Sequence, residues 1–149
     1  MEQRRIATSL VRKFRTRDPF RIADELGFIV IRTHLEGIRG FWHYSQRQHL
    51  IFVDDKLPDT VACFVCAHEI GHILMHRGCN RIFMDANTYF PSNRHEVEAN
   101  RFAVDLLYDD EDLRFFLDFP IQLAADFMGV DLELAEYRLR SLNPHPQFK

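Results

Sequence analysis

The segment "VCAHEIGHILMHRG" (65–78) places His68, Glu69 and His72 in the order H-E-x-x-H, with His76 one turn further on. The flanking residues Val61, Ala62, Phe64, Val65, Ala67, Ile70, Ile73 and Leu74 recur at helical spacing. The stretch from 58 to 77 therefore reads as one long buried helix stopped by Gly78. Two histidines four apart lie about 40° from each other around a helix axis, so both imidazoles can reach one ion. Glu69, one residue on, projects about 100° away, where it can touch an activated water without occupying the metal. Zinc lowers the pKa of bound water toward ~7, and a carboxylate beside it can take the proton as the oxygen attacks a carbonyl. The pattern supplies two ligands, His68 and His72, and a catalytic base, Glu69.

Cys63 and Cys66 form a competing C-x-x-C just upstream. On one continuous helix, Cys66 lies about 200° around the axis from His68, so the two cannot share an ion. The cysteines read as small residues packing the back of the helix.

Catalytic zinc wants a third protein ligand and an open fourth position. "SNRHEVEANRFAVDLLY" (92–108) is a second helical pattern, capped by Ser92 or Asn93, and it offers His95, Glu96 and Glu98. Taking Val97, Phe102, Ala103, Leu106 and Leu107 as its core side, Glu98 lies beside Phe102, while Glu96 is turned about 200° away into solvent. Glu98 is the expected third ligand, with His95 an open alternative. His95 and Asp105 share the stripe of Glu98 and are candidates for supporting roles.

The rest of the chain bounds the fold. With 149 residues it can bury one real core, and 46% hydrophobic and 28% charged residues are those of a soluble globular protein. Residues 3–15 read as a basic amphipathic helix. "RDPFRIADELG" reads as a short one, with Asp18 as N-cap, Pro19 in the first turn and Gly27 as the stop. "FIVIRT" (28–33), "IRGFWHY" (38–44) and "HLIFVD" (49–54) read as strands, the last two joined as a hairpin through "SQRQ" (45–48). A loop is expected over 79–91, and short helices follow to about residue 142. Strands early and helices late make an α+β fold with a small N-terminal sheet packed on the H-E-x-x-H helix. The expected organisation is a single domain: N-terminal helices and sheet at 1–56, metal helices at 57–108, and a C-terminal helical region at 109–149.

Net charge is only −3, which gives no overall nucleic-acid footprint. Residues 1–21 are locally basic and 105–118 acidic. The first residues lack a signal-peptide pattern, and no apolar run approaches the ~18 residues of a membrane span. Together with an odd count of three cysteines, this points to the cytosol and reduced thiols.

"HEIGHILMH" followed by "EANRFAVDLL", with "DPFRIADELGFIVI" and "GFWHY…HLIFVD" upstream and "LAADFMGVDLELAEYRLRSL" downstream, resembles the ImmA/IrrE family of bacterial and phage zinc metallopeptidases. The resemblance covers roughly residues 5–142. It implies a gluzincin-like fold, Zn2+ on His68, His72 and Glu98, Glu69 as the catalytic carboxylate, and a repressor-type protein as substrate. It matches no residue to an oxyanion stabiliser, for which His95, Tyr89 and Tyr108 are candidates. Where the family often has proline after "LL", this chain reads "LLYDDEDL".

"QLAADFMGVDLELAEYRLRSL" also fits a helix-turn-helix template, which makes a non-proteolytic metal-binding regulatory or DNA-binding module the alternative. Its second helix opens with Asp131, Glu133 and Glu136, which disfavours a phosphate backbone. The helices at 121–142, with Arg138 and Arg140, are expected instead to dock a protein substrate. One of the two hairpin strands should be a sheet edge beside the cleft, with Trp42, His43 and Tyr44 near its mouth.

Overall fold

Three short β-rich runs become three strands, β1 (Ile29–Thr33), β2 (Gly40–Ser45) and β3 (Gln48–Asp54). The sheet order is β1-β3-β2. β2 and β3 pair antiparallel with Ser45 opposite Gln48. Gln46 and Arg47 between them take φ of 50° and 65°, the left-handed pair whose twist suits a two-residue hairpin. β3 also pairs parallel with β1, so it is the central strand, and its Ile51 and Val53 are fully buried. β2 is left as an edge.

The computed structural model describes residues 2–85 and 93–142, with the backbone alone over 77–85 and at 93. It divides into two compact units, Met1–Leu107 and Tyr108–Lys149. The fold is α+β: among the described residues three strands accompany seven α-helices.

In the first unit, α1 (Glu2–Phe14) forms over the basic amphipathic stretch, and α2 (Pro19–Glu25) forms where its cap announces it. The Phe20 amide donates to Asp18 Oδ1 at 3.0 Å, and Gly27 takes φ 81° after the helix. The metal-motif helix α3 (Asp59–Asp85) is longer than expected. It runs through Gly78 and into the stretch expected as loop. One glycine costs about 1 kcal/mol against alanine, and an already nucleated helix extends at one hydrogen bond per residue. The second motif helix is α4 (Asn93–Leu107). Ser92, the alternative cap, and Tyr89 lie outside the described residues.

Two close approaches set the geometry around α3. A Cβ at Gly71 would stand 2.9 Å from the Phe102 ring of α4, so only glycine lets α4 sit this near. A Cβ at Gly40 would stand 2.5 Å from Val65 Cγ1 and 2.7 Å from the Phe52 carbonyl, so β2 lies directly against α3. α1 spends part of its local positive charge internally. Arg4 Nη1 lies 3.6 Å from Asp105 Oδ1. Just after it, Arg17 Nη1 donates to the Asp105 and Leu106 carbonyls at 3.3 and 2.9 Å, where the end of α4 leaves acceptors. Asp105 thus anchors α1.

In the second unit, "YDDEDL" does not continue the preceding helix. Asp109 accepts from the Glu111 amide at 3.2 Å and starts α5 (Asp110–Arg114). A 3-10 turn (Phe115–Asp118) leads to α6 (Ile121–Met128) and α7 (Leu132–Arg140). Gly129 at φ 70° makes the turn, and Asp131 caps α7 through the Leu134 amide at 2.8 Å. Arg138, expected on a docking surface, is only 1% exposed. Its guanidinium donates to Asp110 Oδ1 and the Tyr108 carbonyl at 2.7 Å each, and to Ser141 Oγ at 2.8 Å. It holds the unit together, because α7 turns that side inward with Ala135 and Leu139. Arg140 pairs with Glu136 at the surface.

Two outcomes follow from these placements. Gly40→Ala should destabilise the protein by about 1–3 kcal/mol, the range for an overpacked contact, read from urea unfolding. Arg138→Ala should cost about 2–5 kcal/mol through a cavity and lost hydrogen bonds, whereas Arg140→Ala should change stability by no more than about 1 kcal/mol. Equal thermal shifts for the two arginine variants would contradict this account.

Candidate metal centre

His68 and His72 lie one turn apart on α3 and aim their Nε2 atoms at one point, 3.1 Å from each other. The carboxylate that meets them is Glu96, not Glu98. Glu96 Oε1 is 2.8 Å from His72 Nε2, and Oε2 is 3.1 Å from His68 Nε2. Glu98 instead reaches His76, with Oε1 3.1 Å from its Nε2.

The phasing of α4 explains the reversal. Its buried side is carried by Ala99, Phe102, Ala103 and Leu106, all fully buried, whereas Val97 is 44% exposed. The stripe Leu106, Ala103, Ala99 continues by a three-residue step to Glu96, which places that carboxylate toward α3. Taking Val97 as a core residue shifts the phase toward Glu98, which in the structure reaches His76 and not the pair His68 and His72. The usable signal was the pair of small alanines, which mark where two helices come closest.

The chemistry of the donor set fits a divalent ion. Four-coordinate zinc with bonds of about 2.0–2.1 Å holds its ligand atoms roughly 3.3 Å apart. The separations of 2.8–3.1 Å need only a small expansion to reach that. Two imidazole nitrogens and a carboxylate oxygen also match the His₂Glu set of catalytic zinc sites.

The surroundings form a cleft of about 350 Å³. Gly40, Phe41 and Trp42 of β2 form one wall, and Phe64, Val65, His68, Glu69 and His72 of α3 another, with Glu96 and Asn100 from α4. The edge strand therefore borders the cleft as expected, although Trp42 is largely buried and Tyr44 stands against His49 at 4.7 Å. Arg39 and Asn100 are lining residues that the sequence reading did not single out.

Glu69, His68 and Glu96 are displaced by their settings. Burial raises the Glu69 carboxyl above the ordinary range, and the neighbouring His68 and His72 offset this only in part. For His68, burial works downward, yet the hydrogen bond to Glu96 and the charge of Glu69 carry it above the usual imidazole value. For Glu96, burial works upward and is overridden by its bonds to His68 and His72, which hold it well below the carboxylate range.

Cys66 is fully buried, and burial pushes its thiol up. The described groups able to hold a metal contain no cysteine. Of the oxyanion candidates, His95 stacks on His76 with centroids 4.1 Å apart. Tyr108 belongs to the second unit and donates its hydroxyl to the Met128 carbonyl at 3.3 Å.

The His68–Glu96 pair sets a pH dependence for chelator-treated protein. His68 is raised, so its contribution is complete below the unfolded value of ~6.5 and is lost as pH rises through the folded one. Glu96 is depressed, so its contribution is complete above ~4.3 and is lost as pH falls. The pair should therefore stabilise most between about pH 4.3 and 6.5, and Glu96→Gln should lower the thermal midpoint within that window and weaken its fall on either side. An unchanged profile in the variant would refute the pairing.

Comparison with known proteins reaches the same region. Residues 23–140 match the model of a peptidase family described as the IrrE N-terminal-like domain. An uncharacterized immunity region protein 2 of Bacillus phage phi105 is 35% identical over 132 residues, covering 87% of this chain and 84% of that protein. Metallopeptidase ImmA of Bacillus subtilis (strain 168) is 23% identical over 140 residues, covering 90% and 82%.

Proposed function

The chain belongs to the IrrE N-terminal-like domain family of peptidases, and from that premise we propose that it is a zinc-dependent endopeptidase acting in the cytosol on a repressor-type regulatory protein. One observation carries the reading. His68 Nε2, His72 Nε2 and the Glu96 carboxylate converge within 2.8–3.1 Å in an open cleft, with Glu69 on the same helix lining it. The name metallopeptidase borne by the Bacillus subtilis relative supports metal-assisted peptide hydrolysis. The phage relative's name, an immunity region protein, supports a regulatory substrate. No helix among the described residues is long and apolar enough to cross a membrane.

His68, His72 and Glu96 would hold the ion, which when bound supplies Lewis acidity toward a carbonyl and a water. Glu69 accepts the proton of the attacking water and delivers it to the departing amine. Its raised pKa brings the acceptor closer to neutral pH, where both transfers are feasible. β2 offers the backbone groups of a sheet edge to an extended substrate segment, and Gly40 lets that edge lie against α3. The walls at Phe41, Phe64 and Val65 favour apolar side chains next to the scissile bond.

The DNA-binding alternative finds less support. α7 opens with Asp131 and Glu133 and its Arg138 is buried, so the second helix offers phosphates little positive charge.

Elemental analysis of purified protein should find one zinc per chain, and a repressor-type protein encoded beside it should be cleaved. Glu96→Ala should lose the metal. Glu69→Gln should keep metal and fold while cleavage falls by about 10²–10⁴-fold. Full cleavage by Glu69→Gln, or unchanged zinc in Glu96→Ala, would overturn the proposal.

A further inference from the structure

Behind the proposed ligands lies a second group of ionisable side chains that this mechanism does not use. His76 is 6% exposed, and its two ring nitrogens face different partners. Nδ1 is 3.1 Å from Nδ1 of His72, and Nε2 is 3.1 Å from Glu98 Oε1. The His95 ring stacks on His76 with an interplanar angle of 25°, which restrains the plane of the imidazole. Arg94 Nε lies 4.0 Å from the other Glu98 oxygen.

Hydrogen counting orders this row. A metal ligand must present a bare nitrogen, and His72 turns Nε2 toward His68 and Glu96. The proton of neutral His72 must then sit on Nδ1, facing His76 Nδ1. That atom has to accept, so the His76 proton sits on Nε2 and donates to the Glu98 carboxylate. Every contact in the row is satisfied in this one arrangement, with both rings neutral.

We propose that His76 and Glu98 are positioning residues for the metal centre: Glu98 accepts from His76 Nε2–H, and His76 Nδ1 accepts from His72 Nδ1–H. This holds His72 in the tautomer and ring orientation that direct Nε2 toward the ion. The inference rests on the metal reading above and explains why Glu98, displaced from the ligand set, is still drawn toward a histidine of α3. A ligating histidine whose second nitrogen donates to an outer partner binds metal more tightly, by about 10–100-fold per partner. Here the partner is a second histidine, which carries the effect of the carboxylate across one more ring.

His76, His95 and Glu98 also bring ligand atoms within 4.8 Å of one another, close enough for a second ion. An ion on His76 Nε2 would force its proton onto Nδ1. Two N–H groups, those of His72 and His76, would then confront each other at 3.1 Å. Filling both sites at once is therefore opposed, and the relay is the arrangement compatible with the ion at Glu96.

The test measures zinc affinity by chelator competition on the full chain, together with the visible spectrum of cobalt-loaded protein. His76→Leu and Glu98→Ala should each weaken zinc by about 10–100-fold and alter the cobalt spectrum. Their double variant should bind no more weakly than His76→Leu alone, because both act through one chain of contacts. His76→Gln should retain most of the affinity, since an amide can accept at its oxygen and donate at its nitrogen in place of the ring. Should His76→Leu fail to fold, Glu98→Ala still decides, its carboxylate being partly exposed. Unchanged zinc affinity in Glu98→Ala would overturn the relay. So would two ions per wild-type chain with one lost in His95→Ala. Loss of zinc on Glu96→Ala alongside normal binding in both relay variants would sink this inference only. A wild-type chain that binds no zinc would remove the metal reading and this inference with it.

Discussion

The approach of α4 to α3 at Gly71 is the contact on which the site depends. Without a side chain there, the Phe102 ring settles against the α3 backbone, and the alanines at 99 and 103 let the helices stay close. Glu96 lies three residues before Ala99 on the same face, so the packing that buries Phe102 also carries the carboxylate to His68 and His72. A bulkier residue at 71 would part the helices and draw Glu96 away from His68 and His72. The hydrophobic contact and the polar site are two ends of one interface.

Bringing ionisable groups into such an interface is costly unless they satisfy one another. Three histidines at successive turns of α3 are answered by two carboxylates of α4, Glu96 opposite His68 and His72 and Glu98 opposite His76. For Glu69 burial outweighs the neighbouring His68 and His72, and its pKa stays raised. The difference between Glu96 and Glu69, one held low and one raised, follows from which of them meets imidazole nitrogens directly.

Charge that looked available in the sequence proved to be partly structural. Arg4 and Arg17 tie the N-terminal helical segment to the end of α4, and Arg138 closes the second unit through Asp110 and the Tyr108 carbonyl. Local charge runs do not reveal which members turn inward, because burial of an arginine depends on whether a carbonyl or carboxylate waits for it. The edge strand was more legible: a hairpin feeding straight into the metal helix leaves few ways to place β2 other than beside the cleft.

The sequence by itself determined the local elements and the part of the site that lies on one helix. Asp18, Pro19 and Gly27 bounded α2, the residues around Gln46 and Arg47 made the hairpin, and H-E-x-x-H set His68, Glu69 and His72 by the fixed turn of an α-helix. Gly78 misled, since a glycine within an established helix is affordable. Only the tertiary structure set which carboxylate meets His68 and His72. Glu96 and Glu98 both reach histidines of α3, and which histidine each one meets depends on how alanines, a glycine and a phenylalanine interlock across the interface. Val97, apolar yet exposed, pointed the other way in sequence. Helical periodicity records which residues share a face, whereas the partner that face meets is decided by packing.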